Sequence, residues 1–296
     1  MAIKTMEIIV APLSAFIIGV FFLGLVRRIM ARIHWRYGPP IIQPILDLIK
    51  LFNQKGFSHG PVFDLGIILS LAGSIVLIFF IPFGGMCALG SSGGLLVILY
   101  IMLFAPLGIA LSGGEAANPN ISIGISRKFI LALGYEVSFL LVLLTLMAYY
   151  KTISIVYIVN AQSNFRWALF SPLCLSGMAY LLILPAMLEI RPFDIAGAPQ
   201  EISSGPTVEY GGRYLALFQI WHAFNLFISI ALFVDLFLGG GNNPVTFFMK
   251  MAVVFILLVF IHAVFPRLRI EQAIGYLWRW PVVFSVLGLI LVQIIS

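Results

Sequence analysis

Glu189-Ile190-Arg191-Pro192-Phe193-Asp194 stands between two apolar runs, 168–189 and 214–238, and the reading of that junction decides the fold. With Glu201, Glu209 and Arg213 behind it, the segment sets four carboxylates and two arginines between stretches that are each long enough to cross a bilayer core, about 20 residues. Pro192 helps to stop the preceding helix. Charge beside hydrocarbon is costly unless it is paired or hydrated, so a cluster of this kind marks a working site. Two readings stand for Glu189, Arg191 and Asp194: an ion-paired group that admits water at the membrane surface, or a structural clamp.

Outward from this junction the chain keeps the same character. Hydrophobic residues make up 61% of the 296 and charged residues 9%, against roughly 25% charged in soluble domains. Bilayer-length apolar runs recur throughout, without the period-2 alternation of a barrel. The expectation is an all-α integral membrane protein forming one polytopic domain over residues 1–296, with eight spans at 6–28, 64–83, 95–112, 128–149, 168–189, 214–238, 245–264 and 277–295. The first span is long and flanked by Arg27 and Arg28, which reads as a retained span rather than a cleaved signal. Gly38-Pro39-Pro40 then breaks the chain. Ile41, Ile45, Leu48, Ile49 and Phe52 share one helical face opposite Gln43, Asp47, Lys50 and Gln54, which predicts a short amphipathic helix lying along the membrane surface. Gly90-Ser91-Ser92-Gly93-Gly94 and Gly239-Gly240-Gly241-Asn242-Asn243-Pro244 read as turns.

Thirteen of the 17 basic residues fall in the odd-numbered connections and their span edges; Lys4, Lys151, Arg166 and Lys250 fall on the other side. The positive-inside rule then predicts a multi-pass protein of the cell membrane, with odd connections cytoplasmic and both termini outside. The net charge of +6 is explained by this topology rather than by nucleic-acid binding. The acids follow the same side: Asp47, Asp64, Glu115, Glu189, Asp194, Glu201, Glu209 and Glu271 against Glu7 and Asp235. A richly charged face opposite a nearly blank one suits docking to a soluble partner. Ordinary solvated loops are the alternative.

Glu136 is the sharpest single residue. It lies nine residues beyond Arg127, about 14 Å along a helix, hence near mid-bilayer, where a carboxylate can take up and release protons. A Glu hydrogen-bonded within the bundle for structure alone is the other reading. His222 and His262 could relay protons or simply pack, and packing is favoured for His262. Neither histidine has a second ligand at helical spacing. Cys87 and Cys174 cannot make a four-thiolate cluster. Trp278 and Trp280 read as interfacial aromatics. No nucleophile–base pair or dinucleotide fingerprint is present, so no redox or bond-making site is expected within the chain.

Several motifs occur in order: Arg28-x-x-x-Arg32-Ile33-x-x-Arg36-Tyr37-Gly38-Pro39, Gln43-Pro44-x-x-Asp47-x-x-Lys50-Leu51, Arg127, Tyr135-Glu136, Arg191-x-Phe193-Asp194, Glu201, Gly205, Glu209-Tyr210-x-Gly212 and Pro266-Arg267-x-Arg269-x-Glu271-Gln272. Over nearly the whole length the chain resembles the family of respiratory complex I subunit 1, the H-type membrane subunit of NADH:quinone oxidoreductases, which includes relatives in membrane-bound nickel–iron hydrogenases. The resemblance implies a subunit that links a peripheral redox arm to membrane ion pumps. It implies a proton path through Glu136, His222, Glu189, Asp194, Glu201 and Glu209. It also implies a charged docking face at Arg28, Arg32, Arg36, Asp47, Lys50, Arg127, Arg191, Arg213, Arg267, Arg269 and Glu271. No cofactor is expected on this chain. Iron–sulfur clusters and a nickel–iron or related centre are expected in hydrogenase-like large and small subunits on the cytoplasmic side, with antiporter-like subunits beside it in the lipid.

Where quinone-reducing members carry acids, this chain has Arg27, Gly197, Pro199 and His222. With Gly205-Pro206 ahead of Glu209-Tyr210, it looks closer to the hydrogenase-type branch. A quinone-binding subunit, or part of a related sulfur-reducing complex, is the alternative within the family. A stand-alone secondary transporter is disfavoured, since neither inverted repeats nor helices broken around a central site are evident.

Overall fold

The structure, a computed structural model, describes residues 2–89, 94–116, 118–162, 167–241 and 243–295, and for 2–5 the backbone alone. Gly90-Ser91-Ser92-Gly93 of one expected turn, Asn242 of the other, and Arg166 from the charge asymmetry lie outside the described residues. The helices are α1 (Ala2–Ile33), α2 (Gln43–Phe52), α3 (Pro61–Phe80), α4 (Leu95–Met102), α5 (Phe104–Gly114), α6 (Pro119–Tyr150), α7 (Ile155–Ala161), α8 (Cys174–Met187), α9 (Pro199–Ile202), α10 (Arg213–Phe237), α11 (Pro244–Val264) and α12 (Ile270–Ile295). Among the described residues β-structure is limited to two isolated bridges, Phe83 with Met86 and Gly94 with Ser154.

Among the described residues seven helices are long and apolar enough to cross a membrane, with α4 and α5 together forming one of them across a break at Leu103. The fifth expected span, 168–189, is helical only over the 14 residues of α8, after a 3-10 turn at Ala168–Phe170. At 1.5 Å per residue α8 covers about 21 Å, short of a hydrocarbon core of about 30 Å. Its shortness is tolerated because neighbours enclose it: every position from Ile183 to Leu188 is buried. Two other boundaries move. The fourth span starts at Pro119 rather than 128, capped by the Asn118 side chain, which accepts from the Asn120 N–H at 3.0 Å. The last begins at Ile270 rather than 277, which puts Glu271 on a helix. The predicted surface helix is α2, resting Pro44 and Leu48 on the body while Ile45, Leu46, Ile49 and Phe52 stay exposed.

The centre of the bundle is α10, buried at every position from Leu226 to Leu238. It packs against α1, α3, α8 and α11, while α6, α8 and α12 pack on one another. The α3–α5 contact is made by small residues. A side chain at Gly66 or Gly108 would collide with the facing backbone, and the Ser70 hydroxyl crosses to the Ala105 carbonyl at 3.0 Å. Small residues let helix backbones approach closely where hydrophobic force between helices is weak.

Connections gather at two ends of the bundle. At one end gather 34–60, 115–116, Asn118, 188–212 and 265–269. At the other, Gly94 pairs with Ser154, Gln162 donates to the Leu236 carbonyl at 2.9 Å, and Lys250 donates to the carbonyls of Leu238 and Gly240, both at 2.6 Å.

Candidate functional site

The charged end is tied together by ion pairs between elements distant in sequence. Arg27 at the end of α1 reaches Asp47 of α2 at 2.7 Å, Arg127 of α6 reaches Glu201 of α9 at 2.8 Å, and Arg267 reaches Asp194 at 2.8 Å. The Arg27 guanidinium first, and the Gln43 amide second, hold the Asp47 carboxyl below the usual carboxylate range. The Arg127 contact does the same for Glu201. Glu209 accepts from the Asn118 amide at 3.1 Å and lies 3.4 Å from His59.

The cluster expected around Glu189 and Arg191 is paired differently from the prediction. Glu189 does not meet Arg191; its carboxylate binds the Lys128 ammonium. Arg191 is exposed, and its backbone N–H donates to His262 Nδ1 at 3.0 Å. The chain turns at Glu189 through a left-handed backbone, φ 53°, a conformation costing a non-glycine residue about 1–2 kcal/mol. The ion pair with Lys128 holds that turn. Lys128 is only 7% exposed and lies over the Trp221 ring, 4.6 Å from its centroid.

Two cavities meet at this pair. The outer one, about 260 Å³, is lined by Asp194, Gly197, Pro199, Ser204, Pro206, Thr207, Phe218, Trp221 and His222 together with Lys128 and Glu189. The inner one, about 40 Å³, has room for one or two waters. It is lined by Lys128, Glu189, Tyr135, Glu136, Trp221, Asn225 and the residues around the α4–α5 break, including Leu103 and Pro106. Lys128 and Glu189 therefore form a shared wall, with a polar cleft on one side and the mid-helix Glu136 on the other. A carboxylate, an ammonium and water-sized space are the components from which proton transfer is built.

Of the six residues expected on a proton path, Glu136, Glu189, Asp194 and His222 line these cavities. Glu201 and Glu209 do not; they brace the rim. Of the expected docking residues, Arg28, Arg32, Arg36, Lys50, Arg191, Arg213, Arg269 and Glu271 are exposed at the charged end, whereas Asp47, Arg127 and Arg267 are held in internal pairs. Sequence reasoning counted Lys128 as a topology charge and passed over Trp221, Asn225 and His59. The available signal was spacing, since Lys128, Ala132, Tyr135 and Phe139 fall on one helical face directed inward. Among the described residues no three His, Cys, Asp or Glu side chains converge as a metal site would require.

The family model described as NADH dehydrogenase matches residues 5–293. The chain belongs to that family. It is similar to the H-type subunit of NADH-quinone oxidoreductase from Protochlamydia amoebophila, 28% identical over 93% of this chain and 92% of the relative. It is likewise similar to NADH-ubiquinone oxidoreductase chain 1 of Metridium senile, 28% identical over 94% and 90%. Among solved structures it resembles a chain of the membrane-bound sulfane sulfur reductase, an archaeal respiratory membrane complex, with a TM-score of 0.93, 36% identity and coverage of 98% and 99%. The chain is thus a membrane subunit of the complex I-like oxidoreductase family, whose members work within multi-subunit respiratory membrane complexes.

Proposed function

We propose that this subunit anchors and couples an ion-translocating redox complex of the membrane-bound hydrogenase type. The charged end faces the cytoplasm and carries a soluble arm with iron–sulfur clusters and a nickel–iron or related centre, while this chain holds no redox group of its own. Electron transfer in the arm changes the charge or position of the 189–212 loop. The Lys128–Glu189 pair then rearranges, Glu136 exchanges a proton with the cleft, and antiporter-like neighbours in the membrane respond by moving H⁺ or Na⁺.

The observation that carries this reading is the shared wall of Lys128 and Glu189 between cleft and Glu136. The hydrogenase-type assignment is supported by Arg27, Gly197, Pro199 and His222 standing where quinone-reducing members carry acids. The likeness to a chain of a sulfane sulfur reductase complex extends the electron acceptors of the arm to sulfur compounds. The test is Glu136→Gln in the whole complex, reconstituted in liposomes. Ion pumping is lost while uncoupled electron transfer persists; unchanged pumping removes Glu136 from the path. The relatives named as NADH-quinone oxidoreductases favour a second reading, a quinone-binding subunit. A photoaffinity quinone labelling the Arg28–Lys50 region establishes that reading; no labelling together with hydrogen evolution excludes it.

A further inference from the structure

At the end of the molecule opposite the cleft, α10 carries a second intramembrane acid, Asp235. Its side chain is wholly buried, and among the described residues neither carboxyl oxygen has a hydrogen-bond partner. The donors built around it are committed elsewhere. The Lys250 ammonium donates to the carbonyls of Leu238 and Gly240 and rests 5.2 Å from the Trp167 ring centroid. The Gln162 amide donates to the Leu236 carbonyl and to the backbone oxygen of Asp235, at 2.9 and 3.4 Å, leaving the carboxyl untouched. Among the described residues, the other ionisable groups whose fields reach Asp235 are Cys87, in the turn after α3, and Tyr180 of α8, whose hydroxyl donates to the Ser229 carbonyl.

An ionised carboxylate sealed from water with no donor is one of the costliest arrangements a protein interior can hold; a carboxylic acid in the same place is tolerable. Access is also built in. The turn after α10 passes directly over the group, and a side chain at Gly240 would lie 2.8 Å from Asp235 Oδ1. Gly240 takes φ 52°, which a glycine adopts freely, and its neighbours Gly239 and Gly241 are partly exposed. One glycine turn therefore separates the acid from the surface at that end.

We propose that Asp235 is a proton-binding site of this subunit, distinct from Glu136, that exchanges its proton with the compartment faced by the Gly239–Gly241 turn. In the resting protein the carboxyl holds a proton. Opening of the turn admits water, which takes the proton as the carboxylate forms and returns it when the turn closes. This inference does not depend on which acceptor the complex reduces, nor on Glu136 lying on a path.

The test is infrared spectroscopy of the purified complex, comparing wild type with Asp235→Asn and Glu136→Gln. The carbonyl stretch of neutral carboxylic acids loses one component in Asp235→Asn, and that component persists in Glu136→Gln. Asp235→Glu, which keeps an acid, shifts the same component instead of removing it and serves if the Asn variant does not assemble. Loss of carboxylate bands in Asp235→Asn, with the neutral-acid region unchanged, shows that Asp235 is ionised and overturns the proposal.

Discussion

Lys128 and Glu189 illustrate how much one pair can carry in a low-dielectric setting. Removing one partner from a buried pair leaves an uncompensated charge and costs about 3–5 kcal/mol, whereas removing both together costs far less. Lys128→Met is therefore expected to destabilise the subunit strongly, and Lys128→Met with Glu189→Gln to recover most of the loss, measured as a double-mutant cycle on thermal unfolding in detergent. The Arg27–Asp47 and Arg127–Glu201 pairs behave differently, because one partner of each is exposed and each pair is worth no more than about 1 kcal/mol. Asp47 and Glu201 both titrate below the ordinary carboxylate range. Each pair thus contributes fully above about pH 4 and is lost as pH falls through the lower folded value. Acid sensitivity of the α1–α2 contact, followed by limited proteolysis as pH falls below about 4, is expected to flatten in Arg27→Gln, whose contact is weaker than the wild type's at every pH above that window.

At the scale of elements, hydrophobic runs made most helices readable from sequence. Pro61, Pro119 and Pro244 each open a helix, where their missing N–H costs nothing. Two boundaries escaped that reading for physical reasons. Polar residues at the start of α6 suggested a loop, but the Asn118 cap and contacts with the 188–212 segment extend the helix across them. The apolar run 168–189 suggested a full span, but packing, rather than bilayer thickness, sets the length of α8. The site was legible in its acids, since charge in an apolar chain is conspicuous. Its geometry was not, because Lys128 and Trp221 look ordinary until two helices bring them together. The α3–α5 contact offers a direct check. Gly108→Ala places a methyl against the Gly66 carbonyl and Ser70, and overpacking of this kind costs about 1–3 kcal/mol, read as a lower unfolding temperature of the purified complex.

At the scale of the whole molecule, ion pairs, exposed arginines and the larger cleft share one end, while the opposite end offers mainly glycine turns. The proposed orientation follows from that asymmetry. Single cysteines at Lys50 and at Asn243, introduced after Cys87 and Cys174 are replaced by serine, are expected to react with a membrane-impermeant thiol reagent from opposite sides: Lys50 only in inside-out vesicles, Asn243 only in intact cells. Labelling of both from one side contradicts the alternating arrangement, and reversed labelling inverts it.

The short α8 and the cleft at its end also shape the electrical profile of the bilayer. Water reaching the Lys128–Glu189 wall carries the potential of the bulk phase inward, so the voltage falls mainly across the remaining thickness. On the proposed path, a proton reaching Glu136 from the cleft crosses only a minor fraction of the field. The bulk of about 2.3 kcal/mol per 100 mV is met beyond it, in the half of the membrane that holds Asp235.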